Sequence, residues 1–144
     1  MKIVHIYANT TIRGRATRGV CGYVLALEKD GEILYPQKCI FKTENRTAQG
    51  AVLYTISQAV ARIHEQVILH IWIDEQLIAS AIVRHWIDKW KIEDFAGRKN
   101  AEEWRDFITL CEGVGIDIDG IHFHVREPHP FRELLRWECA KNNK

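Results

Sequence analysis

The chain has 144 residues, 47% of them hydrophobic, with 20 Lys plus Arg against 19 Asp plus Glu and a formal net charge of +1. That length is the size of one ordinary domain, which buries roughly 70% of its unfolded surface and needs no metal or disulfide staple to be stable. So balanced a charge excludes an overall basic field as a sign of nucleic-acid binding, and any such footprint must be local.

A single domain over 1–144 is therefore expected, and its elements follow in chain order. Ile3 to Ala8 is a short β-branched, apolar run that predicts a strand, and the Thr/Arg/Gly stretch Thr10 to Gly19 reads as a loop. Gly22 to Glu28 predicts a second strand; Asp30-Gly31 is a tight-hairpin signal, and Ile33 to Phe41 returns as a third. From Thr47 to Ile63 the period changes, with Ala48, Val52, Ile56, Ala59 and Ile63 spaced along one helical face. Val67 to Ile73 is a compact apolar run, as expected for a strand buried on both faces and paired in parallel. Glu75 to Trp90 reads as helix, and Asn100 as the N-cap of another running to about Cys111. Ile116 to Val125 predicts a last strand, and Pro128-His129-Pro130 turns the chain into a final helix from about Phe131 to Lys141. The order is βββαβααβα.

Cys21, Cys39, Cys111 and Cys139 are widely spaced with no Cys-x-x-Cys pair, which argues against a zinc knuckle or thioredoxin-type site and for buried, reduced thiols. The opening MKIVHIYAN is too short and polar an apolar run for a signal peptide, and no stretch approaches the ~20 apolar residues of a membrane span. A cytoplasmic protein with no membrane partner is expected. His122 and His124 share a strand face, yet no standard spacing completes a zinc set with His129 or Cys139, so no metal site is predicted.

Three antiparallel strands followed by two strands reached through helices is an order that resembles the ribonuclease H fold, and short motifs agree over nearly the whole chain. Where that family carries Tyr-Thr-Asp-Gly-Ser after its first strand, this chain reads Tyr7-Ala8-Asn9-Thr10-Thr11. Its Asn-Arg-x-Glu helix start corresponds to Asn45-Arg46-Thr47-Ala48, and its Thr-Asp-Ser to Ile73-Asp74-Glu75. The bacterial members' Trp-rich basic insertion is matched by Trp86 to Trp90 and by Lys99-Asn100 to Trp104. Aligning the family's Asp-x-x-x-Ala on Ala140 places Trp137 at the position of the acid. The resemblance implies an α/β fold: a five-stranded mixed sheet, three antiparallel strands then two parallel, flanked by helices.

The family's hydrolysis resembles two-metal catalysis, with two Mg²⁺ about 4 Å apart, and Mg²⁺ needs anionic oxygens in return for the waters it gives up. Asn9, Ala48 and Trp137 supply none, so Asp74 alone is retained as a catalytic carboxylate. No Asp or Glu precedes Glu28, so no shift of alignment restores a ligand on the first strand. As plain alternatives, Asp74 caps the next helix, or Glu44, Glu75 or Glu138 serve as displaced ligands.

Three functions follow as expectations. The first is a catalytically impaired module that binds an RNA/DNA hybrid or structured nucleic acid and needs no cofactor. Its candidate contacts are Arg13, Arg15, Arg18, Asn45, Arg46, Trp86, Trp90, Arg98 and Lys99, though solvated loop charge or core packing accounts for each as well. The second is an active Mg²⁺-dependent endoribonuclease with displaced ligands. The third is a protein-interaction domain, with an unnamed protein partner, that keeps the scaffold for its shape.

Overall fold

A computed structural model describes residues 1–143, apart from the side chains of residues 15–17. The side chain of Arg15 thus lies outside the described residues. The elements are β1 (Lys2–Thr10), β2 (Arg15–Lys29), β3 (Glu32–Thr47), α1 (Ala48–Val60), β4 (Val67–Ile73), α2 (Gln76–Val83), α3 (Trp86–Ile92), α4 (Ala101–Gly113), β5 (His122–Val125) and α5 (Arg132–Asn142). They form a five-stranded sheet in the order β3-β2-β1-β4-β5. The β1–β2 and β2–β3 pairs are antiparallel, β1–β4 and β4–β5 parallel. This is the mixed sheet that the sequence implied.

Local chemistry accounts for most boundaries. Asp30 and Gly31 take φ of 54° and 81°, the left-handed pair that a two-residue hairpin turn requires. Thr47 caps α1, its Oγ1 accepting from the Gly50 amide at 3.0 Å. Four elements depart from expectation: β2 begins at Arg15, inside the stretch expected as a loop, β3 continues past Phe41 to Thr47, and two others are broken or shortened. The helix expected over Glu75 to Trp90 breaks at His85, whose φ of 60° cannot continue a right-handed helix. The break resets the phase: Ile87 lies five residues after Ile82, roughly 140° around an unbroken helix, yet both are buried. The strand expected over Ile116 to Val125 shortens to His122–Val125, because Asp117 accepts from the Asp119 amide at 3.2 Å and winds Ile118–Gly120 into a 3₁₀ turn.

Side-chain alternation divides the sheet into two faces. Val4, Ile6, Leu69, Ile71 and Ile73 face α1 and α4, meeting Leu53, Ile56, Trp104 and Phe107 in the main core. On the other face stand His5, Tyr7 and Asn9 of β1, His70 and Trp72 of β4, and His122 and His124 of β5. There α5 covers the β1–β2 half by packing Leu135 against Tyr7, Val24 and Ala26. Gly22 permits that approach, since a Cβ on it would meet Ile40 Cδ1 at 2.5 Å and Cys139 Sγ at 3.1 Å. All four cysteines are unpaired, and Cys21, Cys111 and Cys139 are buried. No helix among the described residues is long and apolar enough to cross a membrane.

Candidate functional site

A narrow cleft opens where the carboxyl ends of β1 and β4 meet the start of α5, lined by Asn9, Asp74, Glu127, His129, Arg132 and Leu135 among others. Asp74 follows β4 directly, and its carboxylate meets the guanidinium of Arg132 on two prongs, Oδ1 at 3.3 Å and Oδ2 at 3.5 Å. Arg132 also donates to the Glu127 carbonyl at 2.8 Å, so three oxygens hold it. It occupies the first turn of α5, where the helix dipole favours an anion. A cation there depends on Asp74 and the Glu127 carbonyl. Asp74 does not cap α2; Glu75 stands at that position and makes no side-chain cap bond.

The other cleft groups are neutral or turned aside. Asn9 is an uncharged amide on the strand next to α5, and the Cys139 thiol on that helix has its pKa pushed up by burial. His129 accepts from the Phe131 amide through Nδ1 at 3.2 Å, and burial, then Arg132, pushes its pKa down to about 4. Beside it, 4.7 Å between ring centroids, Tyr7 is buried and its hydroxyl pKa is raised to about 12, mainly by that burial and also by Glu28. Glu127 brings a second carboxylate, directed at His124 Nδ1 at 3.4 Å.

The remaining positions singled out in the sequence lie elsewhere. Ala48 opens α1, its amide bonded to the Gly14 carbonyl at 2.9 Å. The residue before α4 closes over that helix start: Asn100 Oδ1 accepts from Thr47 Oγ1 at 2.9 Å, and its amide donates to Gln49 at 3.1 Å. Asn100 does stand before α4 as expected, but its side chain bridges to α1 and makes no cap bond. Trp137 is 60% exposed on α5, with Lys141 Nζ 4.4 Å over its ring, and it does not line the cleft. Glu138 pairs with Lys38 at 2.8 Å and Lys141 at 3.6 Å, and Lys38 holds its carboxyl below the usual range. Neither it, Glu44 nor Glu75 lines the cleft.

A two-Mg²⁺ site does not fit this donor set. Asn9 is an amide, Ala48 a methyl, and a guanidinium is already seated on Asp74. A metal ion would have to displace Arg132 from Asp74 and draw Glu127, the other carboxylate of the cleft, away from His124, and two carboxylates are few for a pair of Mg²⁺.

The same end of the sheet carries a group of cations beside the acids Glu44, Asp74, Glu75 and Glu127. Strands β1, β3, β4 and β5 run in one direction, so their carboxyl ends and the start of β2 share an edge. Arg13, Arg18, Asn45, Arg46, Arg126 and Arg132 gather there. Arg13 is exposed and folds back on the Thr10 and Ile12 carbonyls at 2.7 and 3.1 Å. Arg18 and Asn45 are exposed, Asn45 with φ of 55°. Arg46 is committed to the fold: it stacks 3.7 Å over Tyr54, donates to Thr43 at 2.7 Å and keeps Nε buried. In the insertion, Arg98 covers Trp90 at 4.7 Å and Lys99 is exposed. Trp90 packs edge-on against Trp104, which is 2% exposed, while Trp86 is 39% exposed. Sequence reasoning missed Arg126, Glu127 and Arg132; the signal for Arg132 was its place just after Pro130, at the start of a helix opposite Asp74.

The sequence matches no family model. It is 22% identical over 124 residues to the ribonuclease H of Campylobacter jejuni, covering 86% of this chain and 81% of that protein. In structure the chain resembles LC9-RNase H1, a type 1 RNase H with the type 2 active-site motif: TM-score 0.74, 13% identity, 99% of this chain and 72% of that one. A foamy viral protease-reverse transcriptase in complex with dsDNA gives a TM-score of 0.66 at 14% identity, over 99% and 90% of the two chains. The RNase H1 of the halophilic archaeon Halobacterium salinarum gives 0.62 at 18% identity, over 86% of each.

Proposed function

The chain has the ribonuclease H fold and is related in sequence to ribonucleases H, and on that premise we propose that it binds nucleic acid, an RNA/DNA hybrid or a structured RNA, without cleaving it. The observation that carries this reading is the Arg132–Asp74 pair, which puts a fixed organic cation on the one retained carboxylate. A guanidinium has no bound water to deprotonate, so it cannot generate the hydroxide that a metal ion supplies for hydrolysis. Binding is a separate matter, because phosphate contacts and the reading of helix shape use cations and hydrogen-bond donors. The exposed Arg13, Arg18 and Arg126, with Asn45, are the groups assigned to phosphate and sugar. Trp86 is assigned to stacking, with Trp90, Arg98 and Lys99 beside it. Arg15 belongs to the same loop by sequence.

The test pairs a cleavage assay on labelled RNA/DNA hybrid, in Mg²⁺ and in Mn²⁺, with an anisotropy titration of the hybrid at two salt concentrations. Binding that weakens with salt and no cleavage is the expected result. Cleavage that disappears in Asp74→Asn would overturn the proposal in favour of a working ribonuclease with displaced ligands. Absence of binding to hybrid, RNA duplex and DNA duplex alike would leave the scaffold to a protein partner.

A further inference from the structure

We propose that His85, Asp88 and Asp119 form a surface site for a divalent transition cation of the Zn²⁺ class, between the α2–α3 junction and the 3₁₀ turn that precedes β5. His85 and Asp88 stand one turn apart across the break that starts α3, and Asp119 comes from the separate 3₁₀ turn. Both carboxylates converge on one nitrogen: His85 Nδ1 meets Asp88 Oδ2 at 3.4 Å and Asp119 Oδ1 at 3.6 Å. Metal bonds of about 2.0–2.2 Å set donor-to-donor edges of about 3.3–3.6 Å in a tetrahedral site, and both contacts fall on that span. One donor atom from each of the three residues lies within 4.8 Å of the other two, so all three face one point.

Charge points the same way. Among the described residues neither Asp88 nor Asp119 is paired with a Lys or Arg, and the imidazole is their shared partner. Two carboxylates together carry the charge that one divalent cation cancels. The depression beside them, a cavity of about 260 Å³, adds Asp117 and Glu112 to its lining against a single cation, Lys91, which Glu112 holds at 2.7 Å. It leaves a fourth position to water. The two carboxylates keep a proton on His85 Nδ1; the cation replaces it while the exposed Nε2 takes one up from solvent, so no net proton is released. An imidazole in the set favours Zn²⁺ or Co²⁺ over Mg²⁺ and Ca²⁺, which prefer oxygen alone.

Both arms of the site stand on fixed backbone. Asp117 Oδ1 accepts from the Asp119 amide at 3.2 Å and so sets the turn that presents Asp119. Ile87, 1% exposed, anchors in the core the segment between His85 and Asp88. The ligand side chains themselves are open to solvent, so a cation enters and leaves without any rearrangement of the fold. When bound, it ties the start of α3, which carries Trp86, to the turn before β5. The histidines of β4 and β5 are the rival group, but His70 stacks on His122 and His124 with 13° and 16° between ring planes, and their nitrogens do not gather in a set of three.

The test is a calorimetric titration of the full chain with Zn²⁺, with visible absorption of Co²⁺ as a second readout and Mg²⁺ as the comparison cation. One equivalent of Zn²⁺ is expected to bind, and Mg²⁺ far more weakly. His85→Asn and Asp119→Asn should each weaken Zn²⁺ binding about tenfold or more. Both residues are exposed, and Asn tolerates the positive φ of position 85, so the variants keep the fold. His122→Gln and Cys39→Ser should bind like the parent. No binding to the parent, undiminished binding to His85→Asn or Asp119→Asn, Mg²⁺ binding as tight as Zn²⁺, or loss of binding in His122→Gln or Cys39→Ser would each overturn the assignment.

Discussion

The guanidinium of Arg132 and the carboxylate of Asp74 meet on two prongs at 3.3 and 3.5 Å, across the mouth of a cleft that opens at the carboxyl edge of the sheet. Asp74 is half exposed there, so water screens the pair and its worth to stability is small.

Asp74→Asn is therefore expected to cost less than about 1 kcal/mol of stability, read from urea unfolding. In the proposed binding role it should tighten the hybrid by roughly 2–5-fold, because Arg132 is freed to meet phosphate. A loss of affinity on anisotropy titration would show that the carboxylate itself contacts the ligand.

Arg13→Ala and Arg126→Ala should each flatten the slope of log affinity against log salt by about 0.9 for every phosphate contact removed. Arg46→Ala differs, since that guanidinium is stacked on Tyr54 and bonded to Thr43. Its loss should appear chiefly as a lower unfolding midpoint. Equal salt slopes for the parent and both loop variants would remove those arginines from the interface.

The tryptophans of the insertion should separate cleanly. Trp104, 2% exposed, is expected to cost about 3–5 kcal/mol on replacement by Ala. Trp86, 39% exposed, should cost under about 1 kcal/mol while weakening hybrid binding. Thermal melts beside anisotropy measure both.

Stability should fall with acidification below about pH 6.5. His129 has an unfolded value of 6.5 and a folded value of about 4, so the unfolded chain binds the extra proton between those limits. Its contribution is whole above pH 6.5 and is lost as pH drops toward 4, on the order of 1–3 kcal/mol. The structural reason is direct: protonated Nδ1 can no longer accept from the Phe131 amide, and the new charge would face Arg132 and Arg136 with only Asp74 in partial compensation. His129→Gln should shallow the pH dependence measured by urea unfolding, and an unchanged profile would count against this account.

Much of the fold could be read from local signals. The Asp30-Gly31 turn, the β4 run and the α1 stripe each follow from one periodicity or one turn chemistry. The break at His85 could not, because it serves the burial of Ile87, a tertiary demand on a segment that is locally helical. The cleft was legible in its losses, since Asn9 and Ala48 are visible substitutions in short motifs. Its replacement cation was not, because the meeting of Asp74 with Arg132 depends on how α5 enters against β4.

The outermost strand, β3, would offer any passing chain a sixteen-residue rim of unused amides and carbonyls. The chain interrupts that rim in its middle. The β2–β3 register shifts between Leu25 and Leu27, opposite a Tyr35 with φ of 52° and a Pro36 that has no amide hydrogen to offer. Exposed Lys42 and Glu44 put charged side chains along what is left. A would-be neighbour of the same sequence meets a kinked, charged border, so growth of stacked copies along it is disfavoured from the first addition.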